Sequence, residues 1–179
     1  PPRRQKLCLH YLRELNGETE NDLREAFIKT AAAETFLLWN YYKRKNDNDA
    51  KVLDSGIIPP EFLRSMFYTF GDYRDICLGI DISTKTPDDD LAQANENISK
   101  IFSEPKGKSL GQVSREDWWK EYCPQIWEGM LCALIHDLKG EEEIKKEIKN
   151  YYSYKNLKQS KNDIPSLEDF AKRPQFFRW

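Results

Sequence analysis

Glycine is scarce in this chain, at 8 residues of 179, and histidine is scarcer, at 2. With few alternating β-branched runs as well, there is little material for the turns and strands of a β sandwich, so helices are the expected element. His10 and His136 do not furnish a zinc site, because the cysteines at 8, 77, 123 and 132 form no C-x-x-C pair and lie far apart. No apolar run reaches the roughly 18 residues that would span a bilayer. The chain opens on Pro1-Pro2-Arg3-Arg4 with no signal-peptide pattern, and that abrupt start and the close at Phe177-Arg178-Trp179 read as a piece of a longer protein. An excess of either charge is missing too. The 28 basic side chains meet 30 acidic ones for a net charge of −2, whereas a whole-domain nucleic-acid binder carries a basic surplus.

Catalytic signatures are equally thin. Glycine-rich phosphate loops, H-E-x-x-H and G-x-S-x-G are absent. Asp88-Asp-Asp90 lacks the alternating ligands and closing glutamate of a calcium loop and reads as a solvated helix cap. His136 ends a mainly apolar helix and reads as a helix-end residue. Cys132, four positions earlier, makes only the weakest kind of Cys–His pairing. The expectation is a non-enzyme with no catalytic residue, no metal and no cofactor.

What the chain has is aromatic mass, 13% of its residues, concentrated where it matters. Trp118, Trp119 and Trp127 fall with Cys123, Pro124 and Cys132 inside residues 118–134. Each buried indole removes roughly 150–250 Å² from water. The segment therefore reads as the central pillar of a helical domain, with Pro124 expected to kink or restart the helix. Other helices announce themselves by caps and stops. Asp22-Leu-Arg-Glu25 has the capping-box pattern, starting a helix to about Lys45 with Leu23, Phe27, Ala31, Leu38 and Tyr41 near one face and Ile28, Phe36 and Trp39 widening it. Pro60 suits a first helical position, and a stripe of Leu63, Phe67, Phe70, Tyr73 and Cys77 runs to a stop at Gly79. Leu91, Ile98, Ile101 and Phe102 mark a short helix after the polar residues 81–90, and residues 103–111 read as a loop. Ser114 and Ser166 are further caps, and acids at 141–143 with lysines at 145, 146 and 149 complement another helix dipole. Residues 7–15 admit a first helix, stopped by Gly17.

Three basic clusters are the candidate contacts: Arg3, Arg4 and Lys6; Lys43, Arg44 and Lys45; and Lys155, Lys158 and Lys161. They suit a sulfated or sialylated surface by point-charge contact, or else they simply keep helix ends solvated. Phe176, Phe177 and Trp179 read as an exposed contact patch or as core residues short of partners. The cysteines read as buried thiols or as two disulfides.

Several blocks carry a family resemblance. They are Pro1-Pro-Arg-Arg-Gln-Lys-Leu-Cys8, Asp22-Leu-Arg-Glu-Ala-Phe27, Ile58-Pro-Pro-Glu-Phe-Leu63 and Phe67-Tyr-Thr-Phe-Gly-Asp-Tyr-Arg-Asp-Ile-Cys-Leu-Gly79. Ile126-Trp-Glu-Gly-Met-Leu-Cys-Ala-Leu134 and Leu167-Glu-Asp-Phe-Ala-Lys-Arg-Pro-Gln-Phe-Phe-Arg-Trp179 complete the set. They resemble the Duffy-binding-like domains of malaria parasite adhesins, most closely the non-alpha classes of the Plasmodium falciparum erythrocyte membrane protein variant antigens. The resemblance implies an all-α, disulfide-stapled helical bundle: the end of a first subdomain plus a second, spanning residues 1–179, with a third, cysteine-rich subdomain missing. It also implies Cys77 paired with Cys132, a closure of about 55 residues worth roughly 4 kcal/mol on the entropy model. Cys8 ordinarily pairs outside this stretch in such domains, and Cys123 departs from the pattern. A Cys8–Cys123 bridge is an arithmetical option.

The function implied is adhesion on the surface of the infected erythrocyte, as the extracellular part of a membrane protein. Its partners would be an endothelial or blood-cell receptor protein, a glycosaminoglycan, antibodies and neighbouring domains of the same ectodomain, with no nucleic acid. Stretches 80–112 and 153–165 would be the diversifying loops. Glycan binding and a spacer role are the rival readings.

Overall fold

The computed structural model describes residues 7–16, 19–80, 89–103, 113–139, 141–160 and 164–178. Its helices are α1 (His10–Arg13), α2 (Glu20–Lys45), α3 (Asp47–Ala50), α4 (Pro60–Leu78), α5 (Asp89–Ser103), α6 (Arg115–Ile135), α7 (Glu142–Tyr151), α8 (Tyr154–Leu157) and α9 (Leu167–Lys172). Short 3-10 turns occupy Lys51–Ser55 and Gln175–Phe177, and the described residues contain no β-strand. None of these helices is long and apolar enough to cross a membrane. The all-α expectation holds.

The helix boundaries follow local chemistry. Thr19, in extended conformation, accepts from the Asp22 amide at 3.1 Å while the Asp22 carboxylate accepts from the Thr19 amide at 3.1 Å. The capping box is therefore Thr19/Asp22, one turn earlier than the Asp22/Glu25 reading, because the extended Thr19 hydroxyl reaches the third helical amide. Pro60 starts α4, and Gly79, at φ +68°, ends it in the left-handed region that a Cβ would strain. Ser114 caps α6 through the Asp117 amide, and Ser166 caps α9 through the Asp169 amide. Pro124 does not break the pillar: α6 runs uninterrupted from Arg115 to Ile135. A proline inside a helix costs about 3 kcal/mol. Trp119 and Trp127 on either side of it are buried, and each indole contributes roughly 4–6 kcal/mol by area, so packing wins.

Helices α2, α4 and α6 form the trunk, with α2 lying most extensively on α6. Phe27 meets Trp118 at 5.4 Å between ring centroids, Phe70 meets Trp119 at 5.1 Å, and Phe67 meets Trp127 at 5.7 Å. Gly129 lets α2 approach, since a Cβ there would lie 2.9 Å from Ile28 Cγ2. The broad apolar band expected along α2 holds for Leu23, Phe27, Ala31 and Trp39 but fails for Phe36 and Tyr41, which are exposed. The end of α2 outruns its partner: Lys43 already meets Asp137, beyond the last residue of α6.

The C-terminal segment is pinned by charge. Arg178 is 2% exposed; its Nη2 lies 2.9 Å and 3.0 Å from the two Asp75 carboxylate oxygens, and its Nη1 lies 3.5 Å from Asp72. It also donates to the carbonyls of Ala171 and Arg173. Gly71 makes the room, because a Cβ there would sit 3.0 Å from the guanidinium.

No disulfide joins the four cysteines, which are free thiols. The expected Cys77–Cys132 bond is not formed. Cys77 Sγ lies 4.0 Å from the carbonyl of Arg115, at the start of α6. Cys132 is exposed near the other end of that helix, roughly 25 Å along it at 1.5 Å per residue, far outside the Cα separation of about 7 Å that a disulfide tolerates. The Cys8–Cys123 option is not realised either. The Cys8 backbone is clamped by Glu34 and by the Tyr73 hydroxyl, while the Cys123 thiol lies against Tyr154. Aromatic packing, with no disulfide staple, holds the described bundle together.

Candidate functional site

Four helices turn polar side chains toward one cleft of about 550 Å³. Its walls follow helical spacing: Phe70, Arg74 and Leu78 on α4; Glu116, Trp119, Lys120 and Cys123 on α6; Glu168, Ala171 and Lys172 on α9. Tyr154 and Lys158, from α8 and the turn after it, complete the lining. The apolar members continue the trunk, so the cleft is a polar mouth set into a rigid core.

Its floor is a connected hydrogen-bond chain. The Cys123 thiol donates to the Tyr154 hydroxyl at 3.2 Å, and that hydroxyl donates to Glu168 in a short bond. Lys158 and Lys172 flank the same carboxylate at 3.9 and 4.0 Å. Burial pushes the Cys123 thiol up to about 11 and raises Tyr154 above its ordinary value. Both therefore stay protonated at neutral pH, and a protonated thiol is a poor nucleophile. The lining carries the cations Arg74, Lys120, Lys158 and Lys172 against the carboxylates Glu116 and Glu168, so its charge is positive in a chain of net charge −2. Most of these ammonium groups are solvent-facing, where ion pairs within the protein are weak and a ligand anion competes easily.

The basic clusters read from the sequence are not gathered into one patch. Arg3, Arg4, Lys6 and Lys161 lie outside the described residues. Lys43 pairs with Asp137 at 2.7 Å, and the Lys43 ammonium holds that carboxyl below its usual range. Lys45 sits 6.0 Å above the Tyr41 ring, and Arg44 is exposed. This group is far from the cleft: Asp137 lies fourteen residues beyond Cys123, roughly 21 Å at helical rise. Lys155 is exposed on α8, and only Lys158 of the three clusters lines the cleft. The sequence reading missed Arg74, Lys120 and Lys172 because none of them lies in a run of three basic residues. The signal available was the spacing 116, 119, 120, 123 on one face of the tryptophan helix.

Other expectations also shift. Stretches 80–112 and 153–165 are not simply loops, since they hold α5 and α8; residues 81–88, 104–112 and 161–163 are outside the described residues. Asp90 is tied to Arg13 at 3.0 Å, and Asn97 donates to the carbonyls of Leu12 and Arg13, so α5 clamps α1. His136 is a solvent-facing residue at the end of α6, 3.7 Å from Asp137. Phe176 and Phe177 are exposed.

The family model of the Duffy binding domain matches residues 1–178. The chain belongs to the Duffy binding domain family. Among curated proteins, this Duffy binding domain is similar to the Duffy receptor of Plasmodium vivax (strain Salvador I), at 27% identity over 153 residues. That match covers 78% of the chain and 12% of the relative's length. No solved structure matches the chain. The family match covers the trunk and the cleft alike.

Proposed function

We propose that this Duffy binding domain is a host-receptor-binding module of a malaria parasite surface antigen, and that the cationic cleft bounded by α4, α6, α8 and α9 is a contact surface. The single observation that carries the reading is the match of the Duffy binding domain across residues 1–178. The similarity to a protein named for a receptor role supports it. In its finer form the domain belongs to a non-alpha variant antigen, displayed outside the infected erythrocyte, and mediates cytoadhesion to an endothelial or blood-cell receptor protein. The mechanism is complementarity: a rigid trunk holds Tyr154 and Glu168 in place, so the entropy lost when a partner docks is confined to ordering the exposed lysine side chains around them.

A second reading is favoured by one specific feature. Four cations against two carboxylates in one cleft suit a sulfated or sialylated glycan. The separating experiment is adhesion of beads carrying the chain to host erythrocytes and endothelial cells after trypsin, sialidase or heparinase treatment. Loss with trypsin alone supports a protein receptor, and loss with sialidase or heparinase supports the glycan. Unchanged adhesion after every treatment overturns both the protein and the glycan reading, and no adhesion to any cell leaves a spacer module.

A further inference from the structure

A second hollow lies on the other side of α9. Glu168, Ala171 and Lys172 face the cationic cleft, whereas Phe170 and Arg173 line a groove of about 690 Å³. This groove adjoins another of about 650 Å³, and the two share Ile57, Tyr151 and Tyr152. Ile57 is 51% exposed and Tyr151 61% exposed, although both are large and apolar. α7 buries Ile148 and leaves Tyr151, three residues on, in solvent.

The floor is fixed. The Tyr152 hydroxyl accepts from the Ile58 amide at 3.1 Å, and the Tyr152 carbonyl accepts from Trp127 Nε1 at 2.8 Å. The first bond braces the groove internally and the second ties it to the trunk, so the apolar surface is pre-formed.

The rim carries the second observation. Arg64 sits 5.7 Å over the Tyr68 ring with its Nε 3.3 Å from that hydroxyl, and Arg173 sits 5.9 Å over Phe170. Neither arginine pairs with a carboxylate among the described residues, although Glu61 lines the same hollow. Aromatic platforms hold the two guanidiniums in place while their donors remain available for a bidentate acceptor. The adjoining hollow bears Glu147 with the amides of Asn150 and Asn156. The lining is thus mainly apolar, with Arg64 and Arg173 outweighing Glu61 in one hollow and Glu147 in the adjoining one. That polarity sets a direction for an occupant. An extended anionic lipid surface would meet Glu61 and Glu147 together, whereas a single carboxylate can be seated on the two guanidiniums, and a plain apolar contact leaves the arginines without a role.

We propose that this groove docks an apolar segment of a partner protein that carries a carboxylate, the apolar side chains lying on Ile57 and Tyr151 and the carboxylate meeting Arg64 and Arg173. The site is independent of the cationic cleft and of the receptor reading attached to it. The test is selection of a random-peptide library on the intact chain, followed by titration of the selected peptides. Enriched peptides should pair an aromatic or aliphatic residue with Asp or Glu. Their affinity should fall at least about tenfold in Arg64→Glu/Arg173→Glu and in Tyr151→Ser, the loss expected for a desolvated charge pair or a central anchor. Arg64→Gln/Arg173→Gln, which keeps size and polarity, should show the same direction, and circular dichroism reports that each variant folds. Lys120→Glu/Lys158→Glu, in the cleft, should leave peptide affinity unchanged. Selection without acidic apolar sequences, or equal binding to the arginine variants, overturns the proposal. So does a self-association that sedimentation detects and Tyr151→Ser abolishes, because a second copy would then own the groove.

Discussion

The two hollows flanking α9 share a wall and differ in nearly everything else. The cleft on the α6 side is polar at its floor and cationic at its mouth, whereas the groove on the α7 side is mainly apolar, with Arg64, Arg173, Glu61 and Glu147 as its charges. A helix of six residues separates them, alternating Glu168, Ala171 and Lys172 toward one and Phe170 and Arg173 toward the other. One short amphipathic element can therefore give a domain two recognition chemistries, provided something rigid holds it. Arg178 and the trunk do that holding.

The largest expected effect removes the shared wall. Arg178→Ala takes the bidentate guanidinium from buried Asp75, whose other described cation, Arg74, lies 3.8 Å away, and should destabilise the domain by about 3–5 kcal/mol in urea unfolding. Both hollows should be lost together, and an effect on only one would show that α9 is held by other means. Next comes Gly129→Ala, which forces Ile28 and the α2–α6 contact apart and should cost about 1–3 kcal/mol while sparing the shape of both hollows. A smaller change sharpens the contrast. Tyr154→Phe removes the hydroxyl between Cys123 and Glu168 and should cost about 1–2 kcal/mol, disturbing the cleft and leaving peptide binding in the groove intact.

pH separates the regions as well. The folded Cys123 thiol titrates at about 11 and Cys77 at about 12, above the ordinary value of 9.0, because burial disfavours the thiolate. A raised folded value means stability is fully present below pH 9 and declines as pH rises through about 11. Unfolding at stepped pH should show that alkaline loss, and Cys123→Ser should alter it. At pH 8 a thiol reagent should modify exposed Cys132 rapidly and Cys77 and Cys123 only on unfolding.

Much of this architecture was legible. The tryptophan pillar, the Pro60 start, the Gly79 stop and the serine caps at 114 and 166 are local signals, and local signals survive folding. The capping box at Thr19 was read one turn late because a threonine hydroxyl and an aspartate carboxylate both satisfy the pattern. Pro124 was expected to interrupt a helix that tertiary packing keeps whole. The cleft was least legible: its cations come from distant helices, and only their fold-dependent register brings them together. The basic clusters, conspicuous as runs, fall apart in space for the same reason. The disulfide pairing came from the resemblance and not from any local signal, and in the structure Cys77 lies by the start of α6 with Cys132 near its end.

The most direct test of the cleft's role is adhesion of the chain to host erythrocytes with the charge reversal Lys120→Glu/Lys158→Glu set beside Lys43→Glu/Arg44→Glu, each at low and physiological salt. Adhesion that falls at least about tenfold for the first pair, and stays near wild type for the second, is the result expected of a cationic cleft that touches the receptor. Equal adhesion by both pairs, or loss only with the second, would place the contact elsewhere on the domain.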